Sequence, residues 1–123
     1  MDWKLELVSI PVSDVDRAIA FYTEQVGFHL DHDHRISDEL RFVQVTPPGS
    51  GCSISFGVGI TTKEPGSVEG LQVVVDDATS AREHLVAHGV EASEVVDYPW
   101  GRFTFFRDPD GNGWAVQQML DRG

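Results

Sequence analysis

The chain has 123 residues, of which 41% are hydrophobic, 10% aromatic and 24% charged. That is enough apolar material for a core and argues against wholesale disorder. Twenty acids against nine bases give a net charge of −11. A field of that sign repels phosphate backbones and anionic lipid, so neither nucleic-acid nor membrane-surface binding is expected, whereas a cationic small molecule would be attracted. The length suits one domain or two merged half-domains. The longest apolar runs, such as Val73-Val74-Val75, fall far short of the roughly 20 residues of a membrane span. The opening Met1-Asp2-Trp3-Lys4-Leu5-Glu6 has no signal-peptide character. The lone Cys52 excludes an internal disulfide and a Cys-based zinc site, so a reducing cytoplasm is the expected location. Cys52 itself reads as a small buried hydrophobe.

In chain order, residues 4–12 read as a strand. Ser13 follows with Asp14 and Asp16 behind it, an N-cap signature. Val15, Ile19, Tyr22 and Val26 recur at helical spacing, and Gly27 ends the helix. Strands are predicted at 28–34, 39–45 and 52–58, and residues 59–69, with Pro65, Gly66 and Ser67, read as a linker. Leu71 to Val75 form the next strand. Asp76-Asp77 cap a helix carrying Ala78, Ala81 and Leu85, which Gly89 ends. Strands at 94–97, 102–107 and 113–119 complete the chain.

The second half repeats the first. Gly27 and Gly89, Pro47 and Pro109, Gly49 and Gly111, and Gly51 and Gly113 are each 62 residues apart. The chain therefore divides into module 1 (about 1–58), the linker and module 2 (about 70–123), within one domain over 1–123. The expected class is α+β, with one helix covering one face of each antiparallel-rich sheet.

Two stretches carry a family resemblance: Pro11-Val12-Ser13-Asp14-Val15-Asp16-Arg17-Ala18-Ile19-Ala20-Phe21-Tyr22, with Val26-Gly27-Phe28, and Phe105-Phe106-Arg107-Asp108-Pro109-Asp110-Gly111-Asn112-Gly113-Trp114. With the repeat, they resemble the vicinal oxygen chelate superfamily, which includes glyoxalase I, bleomycin-resistance proteins and extradiol dioxygenases. The resemblance runs over nearly the whole chain. It implies two tandem βαβββ modules forming an incomplete barrel around a cavity, often completed in a homodimer. The motif residues themselves are caps and turns, and no catalytic role is assigned to them.

Metal-dependent members hold a divalent ion with His, Glu or Gln from the first and last strands of each module. Carried over, those positions fall on Leu7, Gly70, Ala115 and Ser53, or Ser55 if the strand slides by one pair. None offers a good ligand, so no metal or other cofactor is expected there. Elsewhere, His32 and His34 in Asp31-His32-Asp33-His34 share one strand face. They could bind zinc or copper, although a solvated edge strand accounts for them. His84 and His88, at i and i+4 on the second helix, read as a partly exposed face.

Strand alternation predicts the cavity lining. Leu7, Phe42, Gln44, Ser55, Gln72, Ala115 and Gln117 should face inward, and if the apolar Phe103 and Phe105 lie under the helix, Arg102, Thr104 and Phe106 face inward with them. Trp100 could stack on a flat ligand, and Arg102 could grip a carboxylate. No Ser-His-Asp order or phosphate loop is present. The expected function is binding of a small molecule in a metal-free barrel cavity by a homodimer, in the manner of bleomycin-resistance proteins. The alternative is a lyase, isomerase or dioxygenase acting on a small metabolite.

Overall fold

The computed structural model describes residues 1–120, and the last three residues of module 2, 121–123, lie outside the described residues. Two four-stranded mixed sheets make up the architecture, and they do not close on each other. The first holds β1 (Leu7–Ser9), β2 (His29–Ser37), β3 (Leu40–Thr46) and β4 (Ser53–Val58), in the order β1-β4-β3-β2. The second holds β5 (Leu71–Val75), β6 (Val96–Tyr98), β7 (Gly101–Arg107) and β8 (Gly113–Gln118), in the order β5-β8-β7-β6. The two orders are equivalent, as the repeat predicts. In each sheet the first strand runs parallel to the last, and the remaining pairings are antiparallel.

Helix α1 (Val15–Ala20) is capped by Asp14, whose carboxylate accepts the Arg17 N–H. Ser13, expected to join the cap, instead donates its hydroxyl to Asp110 of the second module at 2.5 Å. From Phe21 to Val26 the helix widens to π-helical hydrogen bonding and ends at Gly27, whose φ of 98° needs a residue without Cβ. Helix α2 (Ala78–Ala87) is capped by Asp77, which accepts from the N–H groups of Thr79 and Ser80. The expected first strand over 4–12 shortens to three residues, and its N-terminal extension is tied by the Ser53 N–H bond to Glu6 O.

The helix-facing sides of both sheets share one core. Tyr22 stands between the modules, its ring 5.8 Å from Phe56 in β4 and 5.9 Å from Trp114 in β8. Phe21 packs toward Phe106, and Phe106 stacks parallel on Trp114. The Tyr22 hydroxyl donates to Asp108 Oδ2 at 2.8 Å and accepts from Trp114 Nε1 at 3.0 Å. Asp108 is buried and also accepts from the N–H groups of Asp110, Gly111 and Asn112 and from the Asn112 side chain. Burial, and next the Asp108 charge, push the Tyr22 phenol well above its ordinary range. The turn motif thus serves as a junction that satisfies a buried carboxylate with five donors.

Because the helices lie on the shared side, each sheet's other, concave face has no helix packed against it among the described residues. In sheet 1 the register puts Leu7, Ser9, Phe42, Gln44, Ser53 and Ser55 on that face, opposite Val43, Val45, Ile54 and Phe56 in the core. In sheet 2 it puts Gln72, Val74, Phe103, Phe105, Ala115 and Gln117 there. Thr104 and Phe106 face the core, and Arg102 pairs with Gln118, whose side chain accepts from the Ala78 N–H of α2.

This reverses the expected faces of Arg102 and Thr104, and of Phe103, Phe105 and Phe106. The cause is hairpin length. Eight residues separate the paired Val45 and Ile54, whereas five separate Arg107 and Gly113. An even and an odd loop cannot both obey one 62-residue offset, and a one-residue change of register turns a strand over.

Candidate functional site

Sheet 2 carries an aromatic array on its concave side. Phe103 and Phe105, two apart on β7, stack nearly parallel with centroids 5.8 Å apart. Tyr98 of β6 meets Phe103 edge-on at 5.6 Å, and Trp100 stacks on Tyr98 at 5.2 Å. Trp100 is 62% exposed and Phe105 37%. Beside them Gln72 donates to Gln117 at 2.5 Å, and Gln117 donates to the Trp100 carbonyl at 3.0 Å. The two amides therefore fix each other and the Trp100 loop.

The concave side of sheet 1 is rich in hydroxyls. Ser9 and Ser55 are hydrogen-bonded at 2.9 Å, and Ser53 bonds both Gln44 and Thr46. Thr46 also donates to Asp31. A β-bulge between Leu30 and His32 resets the register, so that His32 lies opposite Gln44 and His34 opposite Phe42, on the concave side. The alternate residue Asp33 turns to the helix side and takes both arms of the buried Arg41 guanidinium at 3.0 and 2.9 Å. That bond holds its carboxyl below the usual range.

A cavity of about 900 Å³ opens where β5, β7 and β8 meet the 89–93 segment. Its lining includes Gly70, Phe105, Arg107, Gly113, Trp114 and Ala115, with Phe21 and Gln25 from the widened helix. Of the ten residues expected to line one pocket, only Ala115 borders it. Leu7, Phe42, Gln44 and Ser55 lie together on sheet 1, and Gln72, Gln117 and Trp100 on sheet 2. Arg102 borders a smaller cavity of about 290 Å³ with Asp97, Tyr98 and Gln118, and Thr104 donates to the Ser93 carbonyl in the interior. Arg102 forms an exposed ion pair with Asp97 at 2.7 Å, which raises its own pKa and lowers that of Asp97.

Sequence reasoning missed Arg107, the arginine that does share the Ala115 face. It donates to Gly111 O at 2.7 Å and to Glu69 at 3.1 Å. It also missed Tyr98, Phe103 and Phe105. Alternation carried the signal for all four, once the parity of the hairpin was known.

The divalent-ion site of the resembled superfamily can be tested on its donors. The register pairs Leu7 with Ser53 and Gln72 with Ala115, so Gln72 rather than Gly70 stands as the counterpart of Leu7. These positions supply one amide, already tied to Gln117, and one hydroxyl. Neutral hydroxyl and amide oxygens without carboxylate or imidazole do not fit a transition-metal centre. Among the described residues no group of three or more His, Cys, Asp or Glu is placed to hold a metal ion.

Comparison with known proteins now decides the family. The sequence model of the Glyoxalase/Bleomycin resistance protein/Dioxygenase superfamily matches residues 4–116. The chain belongs to this superfamily. It is similar in structure to TnmS3, an antibiotic binding protein from Streptomyces sp. CB03234, with TM-score 0.88 and 36% identity over 97% of this chain and 98% of that one. A glyoxalase/bleomycin resistance protein from the same strain superposes with TM-score 0.83 and 37% identity over 94% of this chain and all of that one. In sequence the chain is 30% identical to the uncharacterized protein YetH of Bacillus subtilis over 115 residues, 90% of this chain and 94% of YetH.

Proposed function

We propose that this superfamily member is a homodimeric small-molecule-binding protein whose ligand lies against the concave sheet faces, held without the superfamily's divalent ion. The observation that carries this reading is the aromatic array Trp100-Tyr98-Phe103-Phe105, left partly open on a face that also bears paired amides. Flat aromatic surface with a few convergent polar groups suits a planar ligand. Leu7, Phe42, Gln44 and Ser55 supply the second wall when module 1 of another copy faces module 2. Val74, 60% exposed on the concave face, and Leu5, 69% exposed ahead of β1, are the kind of apolar surface that such pairing covers. Among the described residues the fixed charges on this side are already engaged, Asp31 by Thr46 and Arg107 by the Glu69 carboxylate. The ligand is therefore expected to bind through stacking and neutral hydrogen bonds. The likeness to an antibiotic binding protein at 36% identity supports an antibiotic-like ligand. The unpaired Cys52 suits a reducing cytoplasm.

Titration of tag-free protein with bleomycin and with doxorubicin, read by tryptophan fluorescence and calorimetry, tests the reading. Saturable binding to at least one is expected, weakened about tenfold by Trp100→Ala. No saturable binding of either at high micromolar concentration would overturn it. Sedimentation should show a dimer, and a species near 13.6 kDa at micromolar concentration contradicts the completed cavity.

A further inference from the structure

The bulge in β2 creates a pairing that the rest of the fold does not use. Asp31 and His32 both fall on the concave side, and His34 follows two residues later on the same side. The imidazole centroids of His32 and His34 are 5.4 Å apart. Two imidazoles on one tetrahedral ion, each bonded at about 2.0–2.1 Å, put their ring centres about 5 Å apart. Among the described residues neither ring is hydrogen-bonded to a protein group. Two of the other three histidines are hydrogen-bonded to backbone carbonyls. His84 bonds the Val26 carbonyl at 3.0 Å, His88 bonds the His84 carbonyl at 2.8 Å, and His29 lies 3.8 Å from Asp31. β2 is the outer strand of its sheet, so both rings are open to solvent and to whatever occupies the concave side.

We propose that His32 and His34 together bind one divalent transition-metal ion of the imidazole-preferring class, zinc, copper(II) or nickel, at the rim of the concave face. Each contributes one neutral ring nitrogen, and the metal displaces a proton wherever a ring is protonated. Asp31, fixed by Thr46, contributes negative potential beside the pair rather than a bond. Two protein ligands leave the remaining positions to water or to a donor atom of a bound small molecule. This site lies on β2, apart from the superfamily's positions on the first and last strands, and does not depend on the ligand reading above.

The test uses full-length, tag-free protein titrated with zinc chloride and with copper(II) chloride, by calorimetry and by NMR of the histidine ring protons. One ion per chain is expected, with the His32 and His34 resonances moving first. His32→Asn and His34→Asn should each weaken binding at least about tenfold, and the double variant should abolish it. His84→Asn with His88→Asn should leave it unchanged. Circular dichroism checks the fold of each variant, which exposed edge-strand side chains should not disturb. Absence of stoichiometric binding, retention in the His32/His34 double variant, or loss in the His84/His88 variant would each overturn the assignment.

Discussion

Tyr22→Phe removes one oxygen and leaves every ring contact in place. That oxygen donates to the Asp108 carboxylate and accepts from Trp114 Nε1, joining helix α1 of module 1 to the closing turn and last strand of module 2. Loss of a hydrogen bond to a charged group costs about 1.5–3 kcal/mol, and the buried indole N–H left without an acceptor adds about 1–3 kcal/mol. Asp108 keeps four other donors, and the two losses share one atom, so they do not add fully. The expected destabilisation is about 2–4 kcal/mol, or about 8–16 °C in melting temperature for a domain of this size. Denaturant unfolding should show a lower midpoint at unchanged m-value. A second signature lies at high pH. The folded phenol is raised far above its ordinary value of 10.0. Its contribution is therefore complete below that value and is lost as pH rises, because the unfolded phenol ionises first. The advantage of wild type over Tyr22→Phe should shrink by about 1.4 kcal/mol per pH unit above about 10. A destabilisation under about 0.5 kcal/mol, or a difference constant with pH, would refute the bridging role.

Arg102→Ala should leave both the melting temperature and any ligand titration unchanged, since its ion pair with Asp97 is exposed and lies on the helix side; a tenfold loss of ligand affinity would contradict the face assignment. Asp33→Asn should cost about 1–2 kcal/mol at neutral pH by urea denaturation, because Arg41 is buried but Asp33 is a third exposed. The Asp33 carboxyl is lowered from 3.8, so its contribution is present above that value. The gap between wild type and variant should close as pH falls below about 4, and a gap that persists at pH 2 would count against it. Gly57→Ala should destabilise by about 1–3 kcal/mol, since a Cβ there would meet the Arg41 carbonyl at 1.8 Å and force β3 from β4; an unchanged melting temperature would refute that contact.

The repeat, the Asp77 cap of the second helix and the helix-facing side of β3 were legible because each rests on local chemistry. Asp77 caps α2, Gly27 takes a left-handed turn, and Val43 and Val45 face the helix, as a single pattern in the sequence dictates. The widening of the first helix left no such mark. Its effect, bringing both Phe21 and Tyr22 to the module junction, depends on aromatic partners about 90 residues away in sequence.

The site was only half legible, and the dividing line is parity. In module 1, β3 sets Val43 and Val45 on one face against Phe42 and Gln44 on the other, so the more apolar face could be assigned to the helix side and Phe42 and Gln44 to the concave side. In module 2 the run Phe103-Thr104-Phe105-Phe106 places an aromatic on both faces, and apolarity no longer says which side is inside. The decision then rests on the hairpin after β7. There Asp108 gathers three backbone N–H groups into a tighter turn than the Pro47-to-Cys52 loop of module 1. The buried carboxylate that joins the modules thus also sets the register that turns Phe103 and Phe105 outward to the concave face and Thr104 inward. The closing turn that carries the family resemblance therefore determines which side chains of β7 stand on the concave face.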